Sequence, residues 1–516
     1  MVWQPEIDEL KYRQHLAEQM GGPEGIARQH DQGKLTVRER LAALADPGSF
    51  REIGKLAGTA TYDGDKLVAF KPGNSVMGIC SLNGREVVIT GGDFTVRGGA
   101  ADAAVRKGNP AQLALEWRLP LVRLLDAAGG SVRTFEQIGR TYVPDSNPSC
   151  ALAVRLLGIA PVVSAAMGSV AGLPAVEACL AHFNLMVKDT SQVFPGGPPV
   201  VKAALGYDIT KEELGGEQVV ACEGGIIDNV AETEEEAFVM IRRFLSYMPH
   251  NVWEMAPRVE PTDDPYRRDE ELLSIIRRER HLPYDPYEVL NRVLDCDTFF
   301  AIAPLYGQSR ITGLARVNGY PVGVMINNPN YLGGSLDVAA GQKVIRLVQL
   351  CNVFHLPMVY FADEPGFMVG IESQRQGIVR AGAQVVAAMC ETQMPWITFI
   401  IRQLYGVAGQ CHNRPGGMFK RCAWPSANWG SMHIEGGAEA AYRREIEAAP
   451  DPEAKREEIQ RRLQAIASPF RTAEAGNIEE IIDPRDTRPI LCDFIEMAQG
   501  ILRTQLGPTA GPGYRP

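Results

Sequence analysis

Two short loops hold the residues whose types and order could do chemistry. The first is Met167-Gly168-Ser169-Val170-Ala171-Gly172-Leu173-Pro174 and the second Leu404-Tyr405-Gly406-Val407-Ala408-Gly409-Gln410; each follows an apolar run and precedes a stretch with helical spacing. Small residues at such a junction let successive backbone N–H groups at a helix start point at one anionic oxygen, which builds an oxyanion hole without a charged side chain. A single loop of this kind could equally be a tight turn closed by glycine. Two in corresponding places favour the donor reading, because moving a group between two carbonyl-bearing molecules needs a hole for each. Side-chain machinery is otherwise sparse: the chain has no HExxH, GxxxxGK[ST] or GxSxG run and no GxGxxG opening a βαβ unit. None of its eight histidines is paired at metal-ligand spacing. His355, ahead of an apolar strand, reads as structural, while His182, His412 and His433 lie near Gly-rich stretches and are minor candidates. The ten cysteines lie singly with no CxxC pair, so no metal site is expected in this chain.

The elements that must carry these loops occur twice. Asn83-Gly84 and Asn318-Gly319 mark two turns 235 residues apart, and the doublets Gly98-Gly99 and Gly333-Gly334 keep the same spacing. Leu119-Pro120-Leu121-Val122-Arg123-Leu124-Leu125-Asp126 corresponds to Leu356-Pro357-Met358-Val359-Tyr360-Phe361-Ala362-Asp363 at an offset of 237, two apolar strands ending in Asp. Ile159-Ala160-Pro161-Val162-Val163-Ser164 corresponds to Gln393-Met394-Pro395-Trp396-Ile397-Thr398 at 234, each run leading to one of the two loops. A duplicated pattern is read before local structure, and strands alternating with helical stretches make each copy an α/β unit. The Pro-, Asp- and Arg-rich stretch from Arg258 to Glu288 separates the copies, placing expected domains at residues 1–258 and 259–516. The first 45 or so residues read as helix through Tyr12 to Ala27, with a second helix opening at Thr36 on the capping box Thr36-x-x-Glu39. From Tyr442 to Leu463, Glu/Arg pairs three or four apart mark an exposed helical hairpin broken by Pro450 and Pro452, solvated or facing a partner.

With 516 residues and 45% hydrophobic content the chain can bury two cores of similar size. Its 62 acidic against 52 basic residues give a formal charge of -10, which leaves no broad basic surface for nucleic acid. The start, Met1-Val2-Trp3-Gln4-Pro5, lacks a basic segment followed by an apolar one, and no run of about 18 apolar residues occurs. A cytoplasmic protein with reduced thiols and no membrane span is expected.

Nine motifs in register carry a resemblance that runs over nearly the whole chain. They include Gly33-Lys34-Leu35-Thr36-Val37-Arg38-Glu39-Arg40-Leu41, Asp46-Pro47-Gly48-Ser49-Phe50, Gly92-Asp93-Phe94-Thr95-Val96-Arg97-Gly98-Gly99 and Leu185-Met186-Val187-Lys188-Asp189-Thr190-Ser191. Later come Glu213-Leu214-Gly215-Gly216, Asp363-Glu364-Pro365-Gly366-Phe367, Gly377-Ile378-Val379-Arg380-Ala381-Gly382-Ala383, Ala423-Trp424-Pro425 and Ile482-Asp483-Pro484-Arg485-Asp486-Thr487-Arg488. In these the chain resembles the carboxyltransferase (β) subunits of biotin-dependent acyl-CoA carboxylases of the propionyl-CoA and methylcrotonyl-CoA type. The resemblance implies two tandem crotonase-like (ClpP/crotonase ββα superhelix) domains, the N-terminal one binding CoA and the C-terminal one carboxybiotin. It implies transfer of CO2 from carboxybiotin to the α or vinylogous γ carbon of an acyl-CoA. Carried onto this chain, the N–H groups of Gly172 and Leu173 would hold the thioester oxygen, and those of Val407 and Ala408 the biotin ureido oxygen. Gly129, Gly130, Ala171, Gly406, Gly409 and Gln410 would line the substrates.

The resemblance further implies biotin on a partner α subunit with biotin carboxylase and biotin carrier domains, an ATP-dependent holoenzyme, and a homohexameric β core. This chain itself has neither an ATP-binding motif nor a Met-Lys-Met-like biotinylation site, and the lack of CxxC pairs sets it apart from the zinc-ribbon acetyl-CoA carboxyltransferases. It departs from the family pattern at Gly172-Leu173 and Gly406-Val407, where Gly-Gly is usual, and in Ala127-Ala128-Gly129-Gly130-Ser131, which has no Arg in register. Gln410, followed by Cys411-His412-Asn413-Arg414, stands where propionyl-CoA enzymes carry Asp. These departures point to an acyl pocket unlike the propionyl-CoA type, drift at a pocket wall being the other reading. Two alternatives stay open at this level: the carboxyltransferase of a biotin-dependent acyl-CoA decarboxylase, and a non-catalytic scaffold paralogue.

Overall fold

Asn83-Gly84 and Asn318-Gly319 each turn a β-hairpin, with φ of 52° and 76° in the first and 49° and 77° in the second. Positive φ at both central residues is the mirror-image turn that matches strand twist, which is why Asn-Gly occupies it. The turns join Ser75–Leu82 to Arg85–Gly92 and Arg310–Val317 to Tyr320–Asn327. The structure, a computed structural model, describes every residue except 1, 106–107, 144–146, 262, 280–281, 412–415 and 510–512. His412, Asn413 and Arg414 therefore lie outside the described residues.

The chain divides between Glu254 and Met255 into two units. Each is built on one eight-stranded sheet of the same topology. In the first, Arg51–Glu52 pairs antiparallel to the hairpin, and Leu121–Ala127, Val162–Ala171, Phe183–Val187 and Asn229–Ala231 follow in parallel. In the second the order is Phe300–Ala301, the hairpin, Met358–Glu364, Trp396–Tyr405, Phe419–Ala423 and Glu480–Ile481. The long strand of each unit continues past this sheet and picks up a further short one: Gln192–Phe194 on Val162–Ala171, and Asn428–Gly430 on Trp396–Tyr405. The parallel strands are buried almost throughout, as parallel strands covered on both faces must be.

The repeat extends further than sequence spacing showed. Asp46 accepts the Asn83 and Gly84 N–H groups at 3.1 and 2.8 Å, and Asp295 accepts those of Asn318 and Gly319 at 3.1 and 2.8 Å. Each aspartate is met by an arginine from the last long helix of its unit, Arg242 on Glu234–Tyr247 and Arg488 on Thr487–Gln505. In each case a phenylalanine ring, Phe50 or Phe299, lies where a Cβ at Gly78 or Gly313 would fall. The helix Val37–Leu44 starts at Thr36 with both halves of the capping box formed. Upstream, the helical stretch is two helices, Gln4–Glu18 and Gly22–His30, separated at Gly21, where a Cβ would meet the Thr95 carbonyl oxygen at 2.0 Å. The charged stretch forms Ile434–Glu447 and Pro452–Ile466, whose small core is Ala438, Ile446 and Ile459. Among the described residues of 258–288, the regular elements are the short helix Leu272–Ile275 and the start of Pro286–Val293.

Candidate active site

Both loops leave the carboxyl end of the long strand in their unit, where ligands of open parallel sheets collect. Gly172 ends the first strand with φ 68° and ψ −131° and opens the helix Leu173–Cys179. Gly406, at φ 64°, follows Tyr405 and opens the helix Gly406–Gln410. A side chain at either glycine would be strained, because these are left-handed conformations.

A β-bulge beside each loop shapes the site. Between Leu121–Ala127 and Val162–Ala171 the register jumps across Asp126, and between Met358–Glu364 and Trp396–Tyr405 it jumps across Asp363. Both aspartates are fully buried. Asp126 accepts from Lys34 at 3.2 Å, Arg40 at 3.1 Å and Gln29 at 3.1 Å, and Arg40 also pairs with Glu234 and donates to the Met167 carbonyl at 2.7 Å. Burial pushes the Lys34 ammonium pKa down, opposed by Asp126. In the second unit the cation comes from the long strand itself: Arg402 pairs with Asp363 at 2.9 Å. Gly168 occupies the corresponding place in the first unit, and a Cβ there would lie 2.2 Å from Asp126 Oδ1. Gly168 thus makes room for cations delivered from the N-terminal segment, Lys34 ahead of the helix Val37–Leu44 and Arg40 on it.

Past each bulge the chain bends against its loop. Gly129, at φ 80°, passes so close to Ala171 that a Cβ would meet the Ala171 oxygen at 2.4 Å, and the Gly130 nitrogen lies 3.9 Å from where a Gly172 Cβ would be. The structure therefore brings Gly129, Gly130, Ala171 and Gly172 together. Gly366, at φ 127°, plays the part of Gly129 beside Tyr405. Its carbonyl accepts the Leu336 N–H at 2.9 Å, as that of Gly129 accepts Ala101 at 2.9 Å. Sequence reasoning left Gly366 out of the site, although the offset of 237 already linking Asp126 to Asp363 also links Gly129 to Gly366.

The donors differ between the loops. The Gly172 N–H is engaged with the Phe194 carbonyl at 3.3 Å, whereas the Leu173 N–H has no acceptor among the described residues. Of the two N–H groups expected to donate on the first loop, that of Gly172 is thus already bonded within the unit in this conformation. Val407 and Ala408, in the first turn of their helix, both have N–H groups without an acceptor among the described residues. The Leu173 and Val407 side chains are about half exposed, and Ala408 is buried. Gly406, Val407, Gly409 and Gln410 line a cavity of about 700 Å³ whose other walls include Met389, Ile400, Trp429 and Arg421. Cys411 also borders it, its thiol pKa pushed up to about 12 by burial.

The histidines sort clearly. His182 is buried, accepts the Val162 N–H at Nδ1 (2.9 Å) and meets the Leu157 carbonyl at Nε2 (2.8 Å), which makes it a neutral structural residue. His355 is buried with Nε2 3.0 Å from the Gly507 carbonyl. His433 stands beside Tyr405, with ring centroids 4.0 Å apart. Among the described residues no group of three or more His, Cys, Asp or Glu could hold a metal ion, and no helix is long and apolar enough to cross a membrane.

The carboxyl transferase domain model matches residues 28–506. This chain belongs to the carboxyl transferase family. It is 34% identical to the propionyl-CoA carboxylase carboxyltransferase subunit of Haloferax mediterranei over 98% of both chains. It is 32% identical to the methylmalonyl-CoA decarboxylase α subunit of Veillonella parvula over 92% of both. The crystal structure of the transcarboxylase 12S hexamer with methylmalonyl-coenzyme A bound superposes with a TM-score of 0.85 at 30% identity, covering 96% of this chain and 95% of that one. The two sheets are accordingly tandem crotonase-like units, and the protein is a carboxyltransferase enzyme of the biotin-dependent acyl-CoA carboxylase type. The decarboxylase and scaffold readings are not favoured.

Proposed function

We propose that the first unit holds the acyl-CoA thioester and the second holds carboxybiotin, so that CO2 passes from carboxybiotin to the carbon next to the thioester carbonyl. The observation that carries this is the repetition of one device: a left-handed glycine at the end of the long strand, an N–H just beyond it that is unpaired among the described residues, and a second glycine pressed alongside from the neighbouring bulge. Leu173 donates its N–H to the thioester oxygen as negative charge develops there, joined by Gly172 when its bond to Phe194 yields. Val407 and Ala408 donate theirs to the ureido oxygen, and the cavity walled by Gly406, Gly409 and Gln410 receives the ring. Carboxybiotin, when seated, supplies the CO2 and the nitrogen that takes up the α-proton. The chain's own contribution is fixed dipoles and positioning, which can supply a large share of a barrier reduction without a titrating side chain.

Gly129, Gly130 and Ala171 form the wall on the acyl-CoA side. A partner α subunit carrying biotin carboxylase and biotin carrier domains would deliver the carboxybiotin, and a cytoplasmic homohexamer is the assembly this reading expects, by likeness to the transcarboxylase 12S hexamer. The test is fixation of 14C-bicarbonate by the chain with its co-purifying biotinylated partner, ATP and Mg2+, across short, branched and aromatic acyl-CoAs. Incorporation dependent on one thioester supports the reading and names the acyl group. Biotin-dependent loss of CO2 from malonyl-type thioesters without fixation would replace it with the decarboxylase, and the absence of both would leave a scaffold.

A further inference from the structure

The second loop is clasped by a histidine that has no counterpart on the first. His433 lies at the start of the helix Ile434–Glu447, and its Nε2 is 2.8 Å from the Pro365 carbonyl oxygen. A carbonyl can only accept, so Nε2 carries the proton and Nδ1 the lone pair in the neutral ring. The ring also lies on Tyr405, centroids 4.0 Å apart and planes 32° from parallel. Tyr405 is the residue just before Gly406, and its hydroxyl is bonded to Asn428.

Three segments therefore meet at His433. One is its own, where the Ser431 oxygen lies 3.7 Å from the Cβ position of Gly406. The second is Tyr405, leading into Val407 and Ala408. The third is Pro365-Gly366, whose Gly366 nitrogen donates to Glu364 Oε1 at 3.0 Å and whose Cβ position lies 4.0 Å from the Tyr405 oxygen. In the first unit Ala171 pairs with Phe194 as Tyr405 pairs with Gly430. Counting on from that register puts Ala171 and Gly197 where the second unit has Tyr405 and His433, so the first loop has no ring pair.

We infer that His433 is a positioning residue for the carboxybiotin side of the reaction: it locks Pro365-Gly366 and Tyr405 together and so fixes the direction of the Val407 and Ala408 N–H groups. Its part is to donate from Nε2 to the Pro365 carbonyl. This rests on the assignment of the second loop to carboxybiotin, and the experiment separates the two.

In the holoenzyme, His433→Ala lowers kcat and raises KM for the biotinylated partner, together by roughly 10- to 100-fold in kcat/KM, while KM for acyl-CoA stays put. His433→Gln, whose amide can donate where Nε2 did but cannot titrate, restores activity to within about threefold, with the wild-type pH profile. Tyr405→Leu, which removes the stacked ring, reproduces the His433→Ala defect. Hydrogen exchange at residues 365–367 and 405–408 rises in His433→Ala and not in His433→Gln. Unchanged kinetics and exchange in His433→Ala would overturn the inference. So would a His433→Gln enzyme that stays inactive or loses a limb of the pH profile, since that would make the imidazole a proton carrier. If the wild type transfers no carboxyl group, the functional reading fails, and exchange alone decides the clasp.

Discussion

Gly168→Ala should be among the most damaging single-methyl additions in the first unit. The new Cβ would sit 2.2 Å from Asp126 Oδ1, 2.5 Å from its Cγ and 2.6 Å from Oδ2, so the carboxylate has to retreat by more than about 1 Å to reach an ordinary contact distance of roughly 3.5 Å. It cannot do so freely, because Lys34, Arg40 and Gln29 hold it at 3.1 to 3.2 Å and its surroundings are fully buried. Withdrawing it leaves Lys34, whose side chain is 4% exposed, short of its counter-charge, and leaves the buried Arg40 with Glu234 as its one remaining carboxylate among the described residues. Breaking a buried pair in this way costs about 3–5 kcal/mol, or roughly 6 to 20 °C in the melting of a unit this size. Differential scanning calorimetry measures the shift, and hydrogen exchange places it at residues 121–130 and 162–172. Activity falls too, since Met167, held by Arg40, lies on the strand that ends at Gly172. A melting shift under about 2 °C would refute the claim that Asp126 is rigidly seated.

Val407→Pro deletes one N–H in the first turn of a helix, where proline is tolerated, so the fold persists while kcat drops by about 10²- to 10³-fold in the bicarbonate fixation assay. Iodoacetamide at pH 8 labels the exposed Cys296 and Cys390 quickly and spares Cys411 and Cys422, whose thiol pKa values burial pushes up to about 12; peptide mass spectrometry reads this directly. The Gly84 N–H, then Arg242, hold the Asp46 pKa below the ordinary aspartate range. A depressed native pKa stabilises the fold above the unfolded value, near about 3.9, and that stability is lost as pH falls through the native value. Urea titrations of wild type and Asp46→Asn should differ at pH 6 and converge in acid, once pH falls below the native pKa.

Sequence alone determined the local and the repeated. Asn-Gly turns, the Thr36 capping box and alternating apolar runs are set by neighbours within a few residues, and copying a fold leaves constant offsets that a reader can align. Those offsets located both loops and the switch from Gly172 to Gly406. Tertiary structure decided what depends on contacts between distant segments. That Gly168 must be small follows from Asp126 and from cations 92 and 86 residues before it in the chain, Lys34 and Arg40. That Gly172 shares its N–H follows from Phe194, brought alongside by strand pairing. The proton on His433 is fixed by a carbonyl 68 residues earlier. Residue types and spacing show that a loop can donate. Only packing decides which N–H is left free, because a donor's availability depends on whatever acceptor the fold places against it.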